Sequence, residues 1–133
     1  MCIRDRCEAL APRSVILVGM HAGAAIPQSA HIHDLSHKTS LSELIWIMRQ
    51  AAWCISVDSG PMHIAAAVNP NTLGLHTWSD PRRVGPYPAS SHVWKAGRIA
   101  KRADFTPAEC LVDQSITPDR ATEIGAWISS RYC

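Results

Sequence analysis

Residues 55–68 of the chain, ISVDSGPMHIAAAV, constrain its fold more than any other stretch. The apolar, β-branched run that ends at Val57 is typical of a buried strand, and the turn residues after it end that strand. Ser59 or Asp58 can cap a helix, and Pro61 suits its first turn, because the missing N–H has no partner there. The alanines that follow let the helix axis lie close to a sheet. The stretch therefore predicts a strand, a tight turn and a helix.

This predicted turn is a candidate anion site. The first amides of a helix have no partner within it, and open α/β sheets bind ligands at the carboxyl ends of their strands. Gly60 permits close backbone approach, Ser59 and Asp58 offer polar oxygens, and His63 lies one turn into the helix. An ordinary capped helix has the same spacing. Spacing alone therefore leaves both interpretations open.

Three segments together resemble one known family. Residues 58–67, DSGPMHIAAA, closely resemble the donor-site motif of the ADP-heptose:lipopolysaccharide heptosyltransferases, glycosyltransferase family 9. Residues 38–44, KTSLSEL, and residues 79–87, SDPRRVGPY, resemble the segments that flank this motif in the family. The resemblance implies an α/β fold with a Rossmann-like parallel sheet. It corresponds to the C-terminal half of a two-domain GT-B glycosyltransferase, truncated at its N-terminus.

The resemblance also implies a set of donor-binding residues. They are Asp58, Ser59, Gly60, Pro61, His63, Lys38 and Thr39. Arg82 and Arg83 are candidate contacts from the following loop, although a solvated loop explains either arginine as well. Lys38 is equally explained as a solvated charge and Thr39 as a helix cap. The family's catalytic base belongs to its first domain, so no catalytic residue is assigned in this chain.

The function that the resemblance implies is sugar transfer with inversion. A heptose would pass from a nucleotide diphosphate donor, typically ADP-heptose, to a lipopolysaccharide-core or similar glycan acceptor, without a metal or other cofactor. We expect the chain alone to bind donor weakly and to transfer nothing. Two alternatives stay open: an epimerase-like GT-B enzyme and a degenerate, non-catalytic binding domain. The second gains from His37, where the family usually has glycine, and from residues 19–21, which lack the family's acidic residue.

Composition limits the class of protein. A chain of 133 residues with 47% hydrophobic and 18% charged residues is typical of one globular domain. The net charge of +2 is too small to indicate nucleic-acid binding. An odd number of cysteines without a C-x-x-C pair favours free thiols in a reducing compartment. Without a secretory signal or membrane span in the sequence, we expect a soluble, cytoplasmic protein, with the inner-membrane surface as a candidate peripheral contact.

Two regions are expected along the chain: an uncertain segment over residues 1–13, with Met1–Arg6 as foreign sequence, and a partial Rossmann-like domain with a C-terminal helix over residues 14–133. Within them the sequence predicts strands at residues 14–20, buried on both faces, at 72–76, and at 93–99 as an edge, and helices at 41–52 and 117–131. Residues 101–109 form a polar connector of uncertain structure. His31 and His33 share a strand face, but surface histidines are favoured over a metal site there.

Overall fold

A computed structural model of the protein describes residues 7–20, 26 and 28–132. The chain forms two compact units, one of Met1–Leu44 with Ile116–Cys133 and one of Ile45–Ser115. The prediction that Met1–Arg6 is foreign sequence lies outside the described residues. The strands are β1 (Val15–Leu17), β2 (Ile32–Asp34), β3 (Cys54–Val57), β4 (Thr72–Leu75), β5 (His92–Lys95) and β6 (Arg98–Ala100). The helices are α1 (Leu41–Gln50), α2 (Gly60–Val68), α3 (Pro81–Val84), α4 (Pro107–Cys110) and α5 (Pro118–Ser129).

The first unit contains a two-stranded parallel sheet and the C-terminal helix. β1 pairs with β2, and Ile16 lies opposite His33. The prediction of a long strand buried on both faces is wrong, because β1 has three residues and Ile16 is 47% exposed. With one paired neighbour in the described part of the chain, β1 lacks the flanking strands and covering layers that bury a central parallel strand. The predicted C-terminal helix is confirmed as α5, with Thr117 as its N-cap.

The second unit is built on a four-stranded sheet in the order β3-β4-β5-β6. The first three strands run parallel and β6 runs antiparallel to β5. α2 forms the crossover between β3 and β4, as parallel neighbours require. Met62, Ala65 and Ala66 of α2 are buried, so the predicted thin alanine face is the one that packs inward. The strand and helix predicted around the turn are therefore confirmed.

The predicted edge strand over residues 93–99 is wrong. The structure divides this stretch into β5 and β6, a hairpin in which Lys95 pairs with Arg98. The two residues between them, Ala96 and Gly97, have φ angles of 52° and 79°. Such a pair in the left-handed region is typical of a two-residue hairpin turn. β5 is consequently an inner strand of the sheet, and β6 is the edge.

The connector over residues 101–109, predicted without a definite structure, contains a 3-10 turn, Arg102–Asp104, and the start of α4. Arg98 holds it to the hairpin with two bonds to the Glu109 carboxylate, 2.6 Å from Nε and 3.0 Å from Nη2. The Arg98 guanidinium also lies 4.5 Å from the ring centroid of Phe105. Paired, planar contacts of this kind fix an arginine better than a single ion pair does. The connector is therefore ordered by tertiary contacts that local sequence does not reveal.

The ends of the helices follow the sequence signals more closely. The predicted capping box of α1 is confirmed, since the Ser40 amide donates to Glu43 Oε2 (2.7 Å) and the Glu43 amide donates to Ser40 Oγ (3.3 Å). In the second unit, buried Asn69 follows α2 and donates from Nδ2 to the carbonyls of Met48 (2.8 Å) and Ala51 (2.7 Å). Asn69 thus ties the end of α1 to the turn before β4.

Candidate functional site

The turn between β3 and α2 leaves the start of the helix open. Ser59 is the N-cap residue, with extended backbone at φ −166° and ψ 169°, but its side chain makes no capping hydrogen bond. Its hydroxyl donates instead to the carbonyl of Val57, at 3.1 Å. The prediction that the side chain of Ser59 or Asp58 caps the helix is therefore wrong, because neither accepts a hydrogen bond from an amide of the first turn. In the described part of the chain, the Gly60 amide also has no hydrogen-bond partner.

Gly60 lies where the fold itself has no need of glycine. Its backbone is not in the left-handed region, and a Cβ added there would meet no atom within 4 Å. At Gly74, by contrast, an added Cβ would lie only 2.7 Å from Met62 Sδ. Gly60 and Pro61 are both exposed. The surface above the first turn of α2 is consequently open to an approaching group.

Two polar side chains beside this helix start have no partner in the described part of the chain. The half-buried Asp58 carboxylate forms neither a hydrogen bond nor an ion pair there, and exposed His63 makes none. Both act electrostatically on His76, which follows β4. A half-buried carboxylate without partners is available to hydroxyl groups of a ligand.

The structure adds His76 and Lys95, which the sequence analysis did not select. His76 is 0% exposed, and its Nδ1 shares a hydrogen bond with Ser79 Oγ at 2.8 Å. Burial lowers the pKa of His76 below its ordinary value of 6.5, the Asp58 carboxylate raises it, and the Lys95 ammonium lowers it. The sequence signal for His76 was its position directly after the strand that pairs with the strand before Asp58. Lys95 is the last residue of β5, and the sequence did not predict that this strand pairs with β4.

The loop after β4 is an ordered segment that contains α3. Asp80 caps α3 by accepting from the Arg82 amide (2.9 Å), and it also pairs with the Arg82 guanidinium (3.4 Å). Arg82 is thus partly engaged, whereas exposed Arg83 has no ion pair in the part of the chain that the structure describes. A Cβ on Gly85 would collide with the carbonyl of Pro81, so close approach explains this glycine.

Lys38 and Thr39 belong to the first unit. Lys38 Nζ donates to the carbonyl of Asp34 at 3.3 Å, and Thr39 is half-buried. His37, where the resembled family usually has glycine, has φ 61°, in the left-handed region that glycine enters freely. The backbone therefore takes a glycine-like conformation at this position despite the histidine side chain.

The described residues contain no group of three or more histidine, cysteine or acidic side chains that could hold a metal ion. His31 bonds instead to Ser29 Oγ (2.6 Å) and to the carbonyl of Cys7 (3.1 Å). A search of the helices in the same residues finds none with the length and apolar character needed to span a bilayer.

An open helix N-terminus at the carboxyl edge of parallel strands is typical of α/β domains that bind nucleotides and phosphates. The sequence profile of glycosyltransferase family 9 (heptosyltransferase) matches residues 19–111, which is more than half of the chain and includes the whole β3–α2 turn. The chain therefore belongs to glycosyltransferase family 9. It is a mixed α/β fragment consistent with the Rossmann-like half of a GT-B glycosyltransferase.

One curated protein illustrates the similarity. The chain is 33% identical over 54 residues to the lipopolysaccharide core heptosyltransferase OpsX of Haemophilus influenzae. The aligned part is 41% of this chain and 16% of that protein, so the comparison covers a small share of the relative's length. No solved structure matches this chain.

Proposed function

We propose that this chain is the donor-binding part of an inverting glycosyltransferase that moves a sugar, typically heptose, from a nucleotide diphosphate to a lipopolysaccharide-core or similar glycan acceptor. The observation that carries the proposal is the open start of α2, where Gly60 offers an unpartnered amide and free space. An anionic diphosphate is favoured at such a terminus by the helix dipole and the free amides. Family membership supports a sugar nucleotide as the ligand proposed for that site.

The chemistry follows from where charge develops. As the bond between the sugar and the phosphate breaks, negative charge accumulates on the leaving diphosphate, and donors already directed towards it lower the barrier. The first amides of α2 and the His63 imidazole take this role, while Asp58 holds sugar hydroxyls and orients the reacting carbon. Lys38 and Thr39 of the first unit stay predictions from the family resemblance. A residue outside this chain supplies the base, and neither a metal nor another cofactor takes part.

Calorimetry with ADP, ADP-heptose and UDP tests the donor site. Substitution Gly60→Ala should weaken ADP binding about tenfold, because a methyl group would fill the space next to the free amide. The melting temperature should stay unchanged or rise, since alanine favours helix and no atom opposes its Cβ. An unchanged affinity for ADP in the folded variant would contradict the proposal.

The histidine supplies a matched comparison. Replacing exposed His63 with alanine should weaken ADP binding, whereas His33→Ala removes another exposed histidine and should leave the affinity unchanged. Equal affinities for both variants would mean that His63 does not contact the donor. Binding of ADP-heptose no tighter than UDP would point to a different donor.

Family membership favours a transferase over the epimerase-like alternative, and an assay for epimerised donor without acceptor separates the two. A degenerate binding domain would bind ADP but would not support transfer in any longer protein that carries a first domain. We infer a cytoplasmic location, with the inner-membrane surface as a peripheral contact, from the lipopolysaccharide-core acceptor named for the relative.

A further inference from the structure

Three titratable residues form a row across the carboxyl edge of the second unit's sheet. The pairing of β3 with β4 and of β4 with β5 brings Asp58, His76 and Lys95 to one level. The backbone ladder continues there, since the Asp58 amide donates to Leu75 (3.3 Å) and the His76 amide donates to Trp94 (3.0 Å). Side chains at one level of neighbouring strands share a face of the sheet. The row therefore lies on the same face and edge as the start of α2.

Lys95 is the unusual member of this row. Its side chain is 0% exposed, and its ammonium donates one long hydrogen bond, 3.3 Å to the carbonyl of Thr77. No carboxylate of the described residues forms an ion pair with it. Burial lowers the pKa of Lys95 below its ordinary value of 10.5. Because an ammonium has three donors, this burial costs folding free energy, and stability alone does not explain a lysine here.

His76 places a second unsatisfied polar atom between β4 and α2. Its Nε2 is buried and has no hydrogen-bond partner. This atom and Met62 Sδ lie 3.1 Å and 2.7 Å from the point where a Cβ on Gly74 would stand. Met62 is the third residue of α2, so Nε2 lies near a side chain from the first turn of that helix. Such an atom costs free energy unless a bound group or a shift of the turn satisfies it.

We propose that Lys95 is a positioning residue for the diphosphate bound at the N-terminus of α2, acting through its buried charge and through its hydrogen bond to Thr77. The inference rests on the proposed donor site and deepens it. The ammonium attracts the diphosphate across protein of low dielectric constant without touching it. The bond to Thr77 fixes the loop that leads from His76 to Ser79. A bound diphosphate adds to the countercharge that Asp80 and Asp113 provide without forming an ion pair with Lys95.

The pH range of the test follows from the groups around Lys95. Its titratable neighbours are His76 after β4, Asp80 before α3, Cys110 at the end of α4 and Asp113 beyond it. Between about pH 8 and pH 10, imidazoles are neutral, while carboxylates and ADP are fully ionised. Burial raises the pKa of Cys110 above its ordinary value of 9.0. A loss of affinity with rising pH that the wild type shows and Lys95→Met does not therefore reports deprotonation of Lys95.

The experiment compares three variants of the 133-residue chain by calorimetry with ADP and with inorganic pyrophosphate. Lys95→Met removes the charge and the hydrogen bond, Lys95→Gln removes the charge and keeps an amide donor, and Lys101→Met removes a charge elsewhere in the same unit. We expect about tenfold weaker binding of both probes by the two Lys95 variants and no change for Lys101→Met. Because the pKa of Lys95 lies below 10.5, wild-type affinity should fall as the pH rises towards that value, and the affinity of Lys95→Met should not.

The outcomes separate this inference from the proposed function. Two outcomes would overturn the role of the Lys95 charge and leave the donor site intact. In the first, Lys95→Gln binds with wild-type affinity. In the second, Lys95→Met binds ADP as the wild type does, while Gly60→Ala binds ADP more weakly. Strong, Lys95-dependent binding of pyrophosphate without any preference for ADP-heptose over UDP would support the role of Lys95 and count against the donor. Absence of binding by the wild type to every probe would overturn both.

Discussion

At the scale of single residues, three polar groups of the second unit with few or no hydrogen-bond partners lie at the carboxyl edge of its sheet. Asp58 lacks a partner in the described part of the chain, the Nε2 atom of His76 is buried without one, and the Lys95 ammonium has one carbonyl. Elsewhere in the unit Ser91 Oγ is also buried without a partner, whereas the Asn69 side chain forms hydrogen bonds through both its nitrogen and its oxygen. Groups that cost stability often persist where function uses them, so these three residues support the proposed binding site at this edge.

His76 should make the stability of the chain depend on pH. Because burial lowers its pKa below 6.5 in the folded chain, the unfolded chain binds more protons between the two pKa values. The stability that neutral His76 gives the folded chain is fully present above pH 6.5 and is lost as the pH falls below it. The free energy of unfolding then changes by at most about 1.4 kcal/mol per pH unit for one proton. Urea denaturation at several pH values measures this slope.

Two variants test the assignment. His76→Asn keeps a polar atom near Ser79 but cannot titrate, so its stability should change less between pH 7 and pH 5.5. His33→Asn, at an exposed position, should keep the wild-type slope. An unaltered slope in His76→Asn would show that another group is responsible.

At the scale of elements, short contacts from side chains to backbone join helices to strands. Asn69 connects the end of α1 to the turn before β4, because its Nδ2 serves two carbonyls and its Oδ1 accepts from the Asn71 amide (2.9 Å). Arg98 holds α4 to the hairpin through Glu109, whose pKa this contact lowers to about 2. These contacts keep the sheet edge in place while leaving the start of α2 uncovered.

Replacing Asn69 with alanine should destabilise the second unit by about 2 kcal/mol or more, because it leaves the carbonyls of Met48 and Ala51 without their donor in a buried site. Asn71→Ala is the matched control. Asn71 is exposed and donates one bond to Ala52 (3.0 Å), so its loss should cost about 1 kcal/mol or less. Chemical denaturation measures both changes, and equal losses would contradict the role given to Asn69.

At the scale of the whole molecule, the family match and the site geometry concern one side of a reaction. The aligned part of the OpsX relative is 16% of that protein, and no residue of this chain has been assigned as a base. In the proposed site, amides, an imidazole and a carboxylate are assigned to binding and orienting the donor, and the base is expected outside this chain.

The isolated chain should therefore bind ADP-heptose weakly and transfer no sugar. Incubation with ADP-heptose and a lipopolysaccharide-core acceptor, followed by mass spectrometry of the acceptor, measures transfer. The same assay with a longer protein that also carries a first domain is the positive control. Turnover by the 133-residue chain alone would contradict this prediction and would require a base among its own residues.

Local sequence determined the elements around the turn and the ends of several helices. The strand before Asp58, the helix after it, the capping box at Ser40 and the cap at Thr117 follow from signals within a few residues, because turn chemistry, capping and periodicity are local. Those signals also selected the turn as the candidate anion site. The assignment of a sugar nucleotide to this turn rests on three motifs that occur in the family's order, and it stays a proposal.

Tertiary structure decided what depends on neighbours distant in sequence. The hairpin at Ala96 and Gly97 made β5 an inner strand and so brought Lys95 to the level of Asp58 and His76. The same pairing decided which polar groups are buried. Tertiary structure also directed the Ser59 hydroxyl to the carbonyl of Val57, at the end of β3, and not to the helix. Register and burial depend on the packing of whole strands, which no local pattern specifies. The turn thus remains the centre of the proposed site. Only the pairing of the strands shows that the buried Lys95 ammonium lies at the same edge of the sheet.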